Sequence, residues 1–167
     1  DKGISGFVTD PSDGGATVYA TGKNCISKSY DHGDSWEPCW AIGDLLNQNV
    51  KNLYIKDSKT MIITRNTGAP LRTKDGRKTW QEMTSLAAVP VHGMQWSWSG
   101  KTLAMFGNGG VQNMTNHPHT AYVWKSTDDG DTWTDETADV VTMGAGISQW
   151  YDKDLYLSSG GQGIMKK

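Results

Sequence analysis

Residues 125–133 read KSTDDGDTW. The same nine-residue phrase stands twice earlier, as KSYDHGDSW at 28–36 and RTKDGRKTW at 72–80. Each copy has a base, Ser or Thr, any residue, Asp, a turn containing Gly, Ser or Thr, and then Trp. The closing residues Trp36, Trp80 and Trp133 stand 44 and 53 apart. Before each phrase come two or three short, partly alternating runs bounded by Gly, Asp or Asn, the pattern of strands and turns.

The first unit offers ISGFVTD, ATVYATG and CISKSYD. The second offers NLYIKD, TMIITRN and PLRTKD, and the third GMQWSWS, TLAMFGN and AYVWKSTD. After each phrase a fourth run follows: SWEPCWA, TWQEMTS and TWTDETA. A further unit begins with ISQWYD, DLYLSSG and GIMKK. Four antiparallel strands recurring every ~40–50 residues describe a propeller blade, and a blade buries its faces only by stacking on neighbours. The expected fold is all-β, one partial β-propeller domain over 1–167, with blades near 4–42, 50–85, 92–138 and 146–167. Only AIGDLLNQNV, 41–50, could hold a helical turn or two.

The phrase is then the hairpin between third and fourth strands. Asp128 can accept backbone N–H groups across the turn, and Gly130 can take a positive φ. Asp31 and Gly33 repeat the pattern. In the second copy Arg77 occupies the glycine position and Gly76 stands one place earlier, which predicts a distorted turn.

The phrase resembles the Asp box, S-x-D-x-G-x-T-W, of the BNR-repeat sialidase-like and sortilin-type propellers. Ser29, Asp31, Gly33, Trp36 and Ser126, Asp128, Gly130, Trp133 match it, allowing Ser35 for Thr; Thr73, Asp75, Trp80 match except at Gly and in the Thr for Ser. That family includes sialidases, xyloglucan-cleaving hydrolases and sortilin-type receptors, so the resemblance implies architecture and leaves function open. It also implies that the boxes are structural corners on one rim. A calcium loop is the competing reading of STDDGDTW, but the twelve-residue spacing and terminal Glu of a helix–loop–helix site are missing.

The fourth unit reaches only its third strand, which suggests a fragment of a longer propeller. The alternative is a ring or filament completed by other copies of the chain.

A net charge of −2 with scattered Lys and Arg gives no basic stripe for nucleic acid. No apolar run approaches the ~18 residues of a membrane span. DKGISGF is neither a signal nor a transit peptide. Cys25 and Cys39 are the only cysteines, and residue 32 lies midway between them. Positions equidistant from a hairpin turn face each other, so a cross-strand disulfide is expected, with two buried thiols as the alternative. Asn113-Met114-Thr115 is a glycosylation sequon. With the cysteines it points to an extracellular or secretory-route protein. No metal site or cofactor is indicated: four scattered His lack recognisable ligand spacing.

In a propeller, the loops between second and third strands gather opposite the box turns, with those leading to the next blade. Here they carry Arg65, Asn66, His92, Asn108, Gln112, Asn116, His117 and His119. Such a set suits a glycan or protein ligand, or is an ordinary solvated surface. Sialidase chemistry, as the resemblance implies it, needs three arginines to clamp a carboxylate. The chain has only Arg65, Arg72 and Arg77, and two of these sit at box turns, so a complete sialidase site is not expected. An inverting hydrolase needs two carboxylates ~6.5–9.5 Å apart; Asp44 and Asp139 could face the mouth without their spacing singling them out. Trp96 and Trp98 fall on one side of a strand and could stack sugars or pack between blades. The reading favoured is a non-catalytic recognition or assembly module; the alternative is a piece of a glycoside hydrolase.

Overall fold

The computed structural model describes residues 4–22, 25–41, 50–65, 68–87, 91, 93–97, 99–108, 121–137, 145–159 and 163–166. Two compact units divide the chain, Asp1–Ala88 and Val89–Lys167. Among the described residues every regular element is a strand or a single 3-10 turn. No helix is long and apolar enough to cross a membrane.

The first unit holds two four-stranded antiparallel sheets, each with its strands in chain order. One is β1 (Ile4–Thr9), β2 (Val18–Gly22), β3 (Cys25–Ser29) and β4 (Trp40–Ala41); the other is β5 (Val50–Ile55), β6 (Met61–Arg65), β7 (Leu71–Thr73) and β8 (Gln81–Glu82). Side chains alternate across a strand, so each sheet has two faces. Tyr19 and Ile26 on one face of the first sheet pack on Leu53, Ile55, Met61, Ile63 and Leu71 of the second, with Val8 and Trp80 at the margin. Burial on both faces explains why Met61–Ile63 reads as an unbroken apolar run, 0–1% exposed.

The second unit holds β9 (Gly93–Trp96), β10 (Leu103–Asn108), β11 (Ala121–Ser126) and β12 (Thr134–Asp135) as a third sheet. A fourth, three-stranded sheet contains β13 (Ala145–Tyr151), β14 (Asp154–Ser159) and β15 (Gly163–Lys166). Ala104 and Val123 of the third sheet meet Trp150, Leu155 and Leu157 of the fourth. Trp150 also donates its indole N–H to the Gln95 carbonyl at 3.1 Å. By register, Tyr19 opposite Lys28 corresponds to Ala104 opposite Lys125. In both units, therefore, the same face of a blade is covered by the sheet that follows it.

Cys25 and Cys39 form a disulfide with Cα atoms 5.7 Å apart. It runs diagonally rather than between facing residues, because the ladder pairs Cys25 with Ala41 and Ile26 with Trp40. The outer strands β8 and β12 begin directly after Trp80 and Trp133, whereas β4 waits until Trp40. Pro38 lies in this delay and has no N–H to give a ladder. The disulfide holds across it.

Three turns join the third and fourth strands, and in each two consecutive residues are left-handed. They are His32 and Gly33 (φ 57° and 103°), Gly76 and Arg77 (71° and 78°), and Asp129 and Gly130 (60° and 88°). The second turn is therefore not distorted, contrary to the sequence-based expectation. The turn requires a left-handed pair, and glycine can take either place in it. A Cβ on Gly33 would meet only Trp36 Cζ2, at an ordinary 3.6 Å. Gly33→Ala is accordingly expected to lose about 1–2 kcal/mol through backbone conformation alone, read as a lowered denaturant midpoint with an unchanged slope.

Candidate functional site

The carboxylates that stand out most in the sequence are those of the three turns, and their geometry decides what they can do. Ser29 donates its hydroxyl to Asp31 Oδ1 at 2.6 Å and accepts the Gly33 N–H at 2.8 Å. Ser35 closes the loop, its N–H on Oδ1 at 2.8 Å and its hydroxyl on Oδ2 at 2.6 Å. Asp75 is held by Thr73 at 2.9 Å and by the N–H and hydroxyl of Thr79 at 3.0 and 2.6 Å. Asp128 is held by Ser126 at 2.7 Å and by Thr132 at 2.9 and 2.6 Å. Both oxygens of each carboxylate are thus engaged.

These hydrogen bonds favour the ionised form. The Ser29 and Ser35 hydroxyls, then the Ser35 N–H, draw Asp31 down to about 2. Asp75 is drawn to about 2, chiefly by the hydroxyl and N–H of Thr79. Asp128 lies lower again, through Thr132 and then Ser126. A general acid needs the opposite shift. In the unfolded chain these groups titrate near ~3.9, so the unfolded state takes up protons first as pH falls. Their stabilisation is complete above about pH 4 and is lost as pH drops through about 2. Thermal melts between pH 5 and 2 should show this decline. Asp75→Asn should be less stable at pH 7 and flatter in that window; a parallel decline would refute the assignment.

The sequence did not reveal what the turns reach. The His32 N–H donates to the Ala16 carbonyl at 3.1 Å, and the Gly76 N–H to the Lys59 carbonyl at 3.0 Å. At the same place in the third turn, Asp129 Oδ1 accepts the Trp96 indole N–H at 3.2 Å. Each turn is thereby tied to the first hairpin of its own sheet or to the strand beside it. Trp96 is 8% exposed, so it packs and is not open to a sugar.

Of the residues expected on the opposite rim, Arg65 is placed most fully. Its Nε donates to the Ala69 carbonyl at 2.9 Å, and Nη2 contacts the same carbonyl and pairs with Glu82. The guanidinium therefore braces its own loop, where Gly68 leaves room that a Cβ would take, 2.9 Å from Nη2. Asn108 ends β10, its backbone opposite Ala121. Asn66, His92, Gln112, Asn113, Asn116, His117, His119, Asp44, Asp139 and Trp98 lie outside the described residues, as does 42–49, where a helical turn was considered.

A feature that sequence reasoning missed is a groove of about 460 Å³ on the first sheet, walled by Ile4, Phe7, Trp36 and the Cys25–Cys39 bridge over a floor of Ala20 and Gly22. Phe7 and Ile4 are 63% and 64% exposed. Trp36 lies with its ring centre 6.0 Å from that of Phe7 and donates its N–H to the Gly33 carbonyl at 2.9 Å.

No family model matches the chain, and no curated protein does. Solved structures do. These are β-propeller folds. The GH74 xyloglucanase from Xanthomonas campestris superposes with TM-score 0.64 at 13% identity, over 98% of this chain and 28% of that one. The nidogen/laminin complex gives TM-score 0.68 at 13% identity, over 95% of this chain and 57% of that one. YCF48 from Cyanidioschyzon merolae gives 0.60 at 12%, over 99% and 56%. This chain spans less than two thirds of the length of each. Identities this low establish a shared fold, with four sheets as blades, and leave the chemistry to be argued from the residues.

Proposed function

We propose that the chain is part of an extracellular Asp-box propeller that acts as a recognition or assembly module for a carbohydrate or protein ligand and is not catalytic on its own. The observation that carries this reading is the complete engagement of Asp31, Asp75 and Asp128 by hydroxyls and N–H groups, which makes the motif a structural corner. The Cys25–Cys39 disulfide supports an oxidising compartment. The ligand face is the loop set of Asn66, His92, Asn108, Gln112, Asn116, His117 and His119, with Arg65 bracing one of its loops and a glycan on Asn113. Other copies of the chain, or further blades, complete the ring.

The likeness to xyloglucanases favours a second reading, a portion of a glycoside hydrolase whose remaining catalytic groups lie in other blades. Glycan-array binding, run beside a hydrolysis screen on the full-length protein, separates the two. Binding without turnover supports the module. Turnover that disappears when one of two facing carboxylates is replaced supports the hydrolase.

A further inference from the structure

The first sheet contains a buried cation that makes no ion pair among the described residues. Lys28 precedes the serine of the first turn and is only 9% exposed. Its ammonium lies 4.1 Å from the centre of the Tyr30 ring and 5.3 Å from that of Tyr19. Arg77, from the second turn, places its guanidinium carbon 5.9 Å from the same Tyr19 ring. Among the described residues Lys28 has no ion pair. The charge of Asp10 is felt at Tyr19. Ser12 donates its N–H and hydroxyl to Asp10 Oδ1, at 2.9 and 2.6 Å, and Asp10 makes no ion pair with Lys28.

The matching lysine of the third sheet is served differently. Lys125 Nζ lies 3.6 Å from Glu136 Oε2 and 5.9 Å from the Trp150 ring. Glu136 stands three residues after Trp133, and the residue three after Trp36 is Cys39, held in the disulfide. Among the described residues the first sheet therefore keeps the lysine and the aromatic wall without a carboxylate in ion-pair contact. A buried ammonium is costly unless an anion meets it, and ring faces compensate only in part.

We propose that Lys28 receives an external oxyanion, the sulfate or carboxylate group of an acidic glycan, with Arg77 adding attraction at longer range. Tyr30, 59% exposed, forms the outer wall and offers a ring face to the sugar. Rotation of this one exposed side chain opens the way to the ammonium, a motion of picoseconds to nanoseconds. An apolar sugar face beside one acidic substituent matches an aromatic ring beside one cation. The inference rests on the recognition reading and gives it a ligand class.

The test is calorimetric titration of the intact chain with inorganic sulfate, a sulfated disaccharide, a uronate disaccharide and the neutral parent disaccharide. The acidic sugars are expected to bind at least about tenfold tighter than the neutral one. Lys28→Met should abolish that preference and Lys28→Arg should keep it. If Lys28→Met does not fold, Tyr30→Ala at an exposed position serves, weakening disaccharides while leaving inorganic sulfate unchanged. Equal affinity for acidic and neutral sugars, or a preference that survives Lys28→Met, overturns the inference. So does capture of acidic peptides in place of glycans. Neutral-glycan binding that ignores Lys28→Met would sink this inference and leave the proposed function standing. Failure to bind any glycan or protein would sink both.

Discussion

Trp150→Ala is expected to lose about 3–5 kcal/mol, the range for removing a large buried aromatic side chain. Trp150 is 2% exposed and is the largest side chain where the third and fourth sheets meet, against Ala104, Val123, Leu155 and Leu157. Its loss opens a cavity that neighbours on rigid strands cannot close. It also removes the donor to the Gln95 carbonyl, which binds the fourth sheet to β9. Trp150→Phe separates the two effects: it keeps most of the apolar contact and deletes the hydrogen bond, so about 1–3 kcal/mol should go. Urea unfolding of the three proteins is the measurement. A loss under ~1 kcal/mol for the alanine variant would mean that these sheets do not pack as described.

Reduction of Cys25–Cys39 should cost about 3 kcal/mol, the value for a cross-link closing a loop of ~15 residues, since the cysteines are 14 apart in sequence. The local structure gives the bond unusual weight. Among the described residues β4 has two ladder pairs, Cys25 with Ala41 and Ile26 with Trp40, and residues 36–39 ahead of it form no strand. Without the bridge, the Glu37 N–H to the Lys28 carbonyl at 2.8 Å is the main backbone link before those pairs. Amide exchange in 36–41 should therefore rise on reduction well ahead of β2 and β3. Denaturant midpoints of oxidised and dithiol-treated protein give the size of the effect. Equal midpoints would refute it, and so would a Cys39→Ser variant as stable as the parent.

Much of the fold could be read in advance because three independent signals agree. Short alternating runs, turn residues and a phrase repeating at blade spacing all place the strands where β1–β15 lie. The failures have physical causes. The second turn was expected to be distorted because a motif written with glycine at a fixed place hides what the turn needs, two successive left-handed residues, and Gly76–Arg77 meets that need in the opposite order. The cysteines were expected to face each other because residue 32 was taken as the centre of the hairpin; the pairs Arg72–Gln81 and Lys125–Thr134 centre half a residue later in the phrase, and Cys25–Ala41 half a residue later still. The role of Arg65 was missed since nothing in sequence brings Ala69 and Glu82 to one guanidinium. Lys28 was unremarked because a base at that position recurs in all three phrases. Only the structure distinguishes the copy with an ion-paired base, Lys125, from the copy, Lys28, that has no ion pair among the described residues.

The two-residue outer strands have a consequence for how the protein behaves in a crowded solution. A foreign chain that zips onto a sheet needs a long row of vacant donors and acceptors along its margin. β4, β8 and β12 present two residues each. Each margin is cut short beside a loop whose polar groups are already spent on Asp31, Asp75 or Asp128. The repeated phrase that shapes the blades thus also shields the β4, β8 and β12 margins from amyloid-like growth.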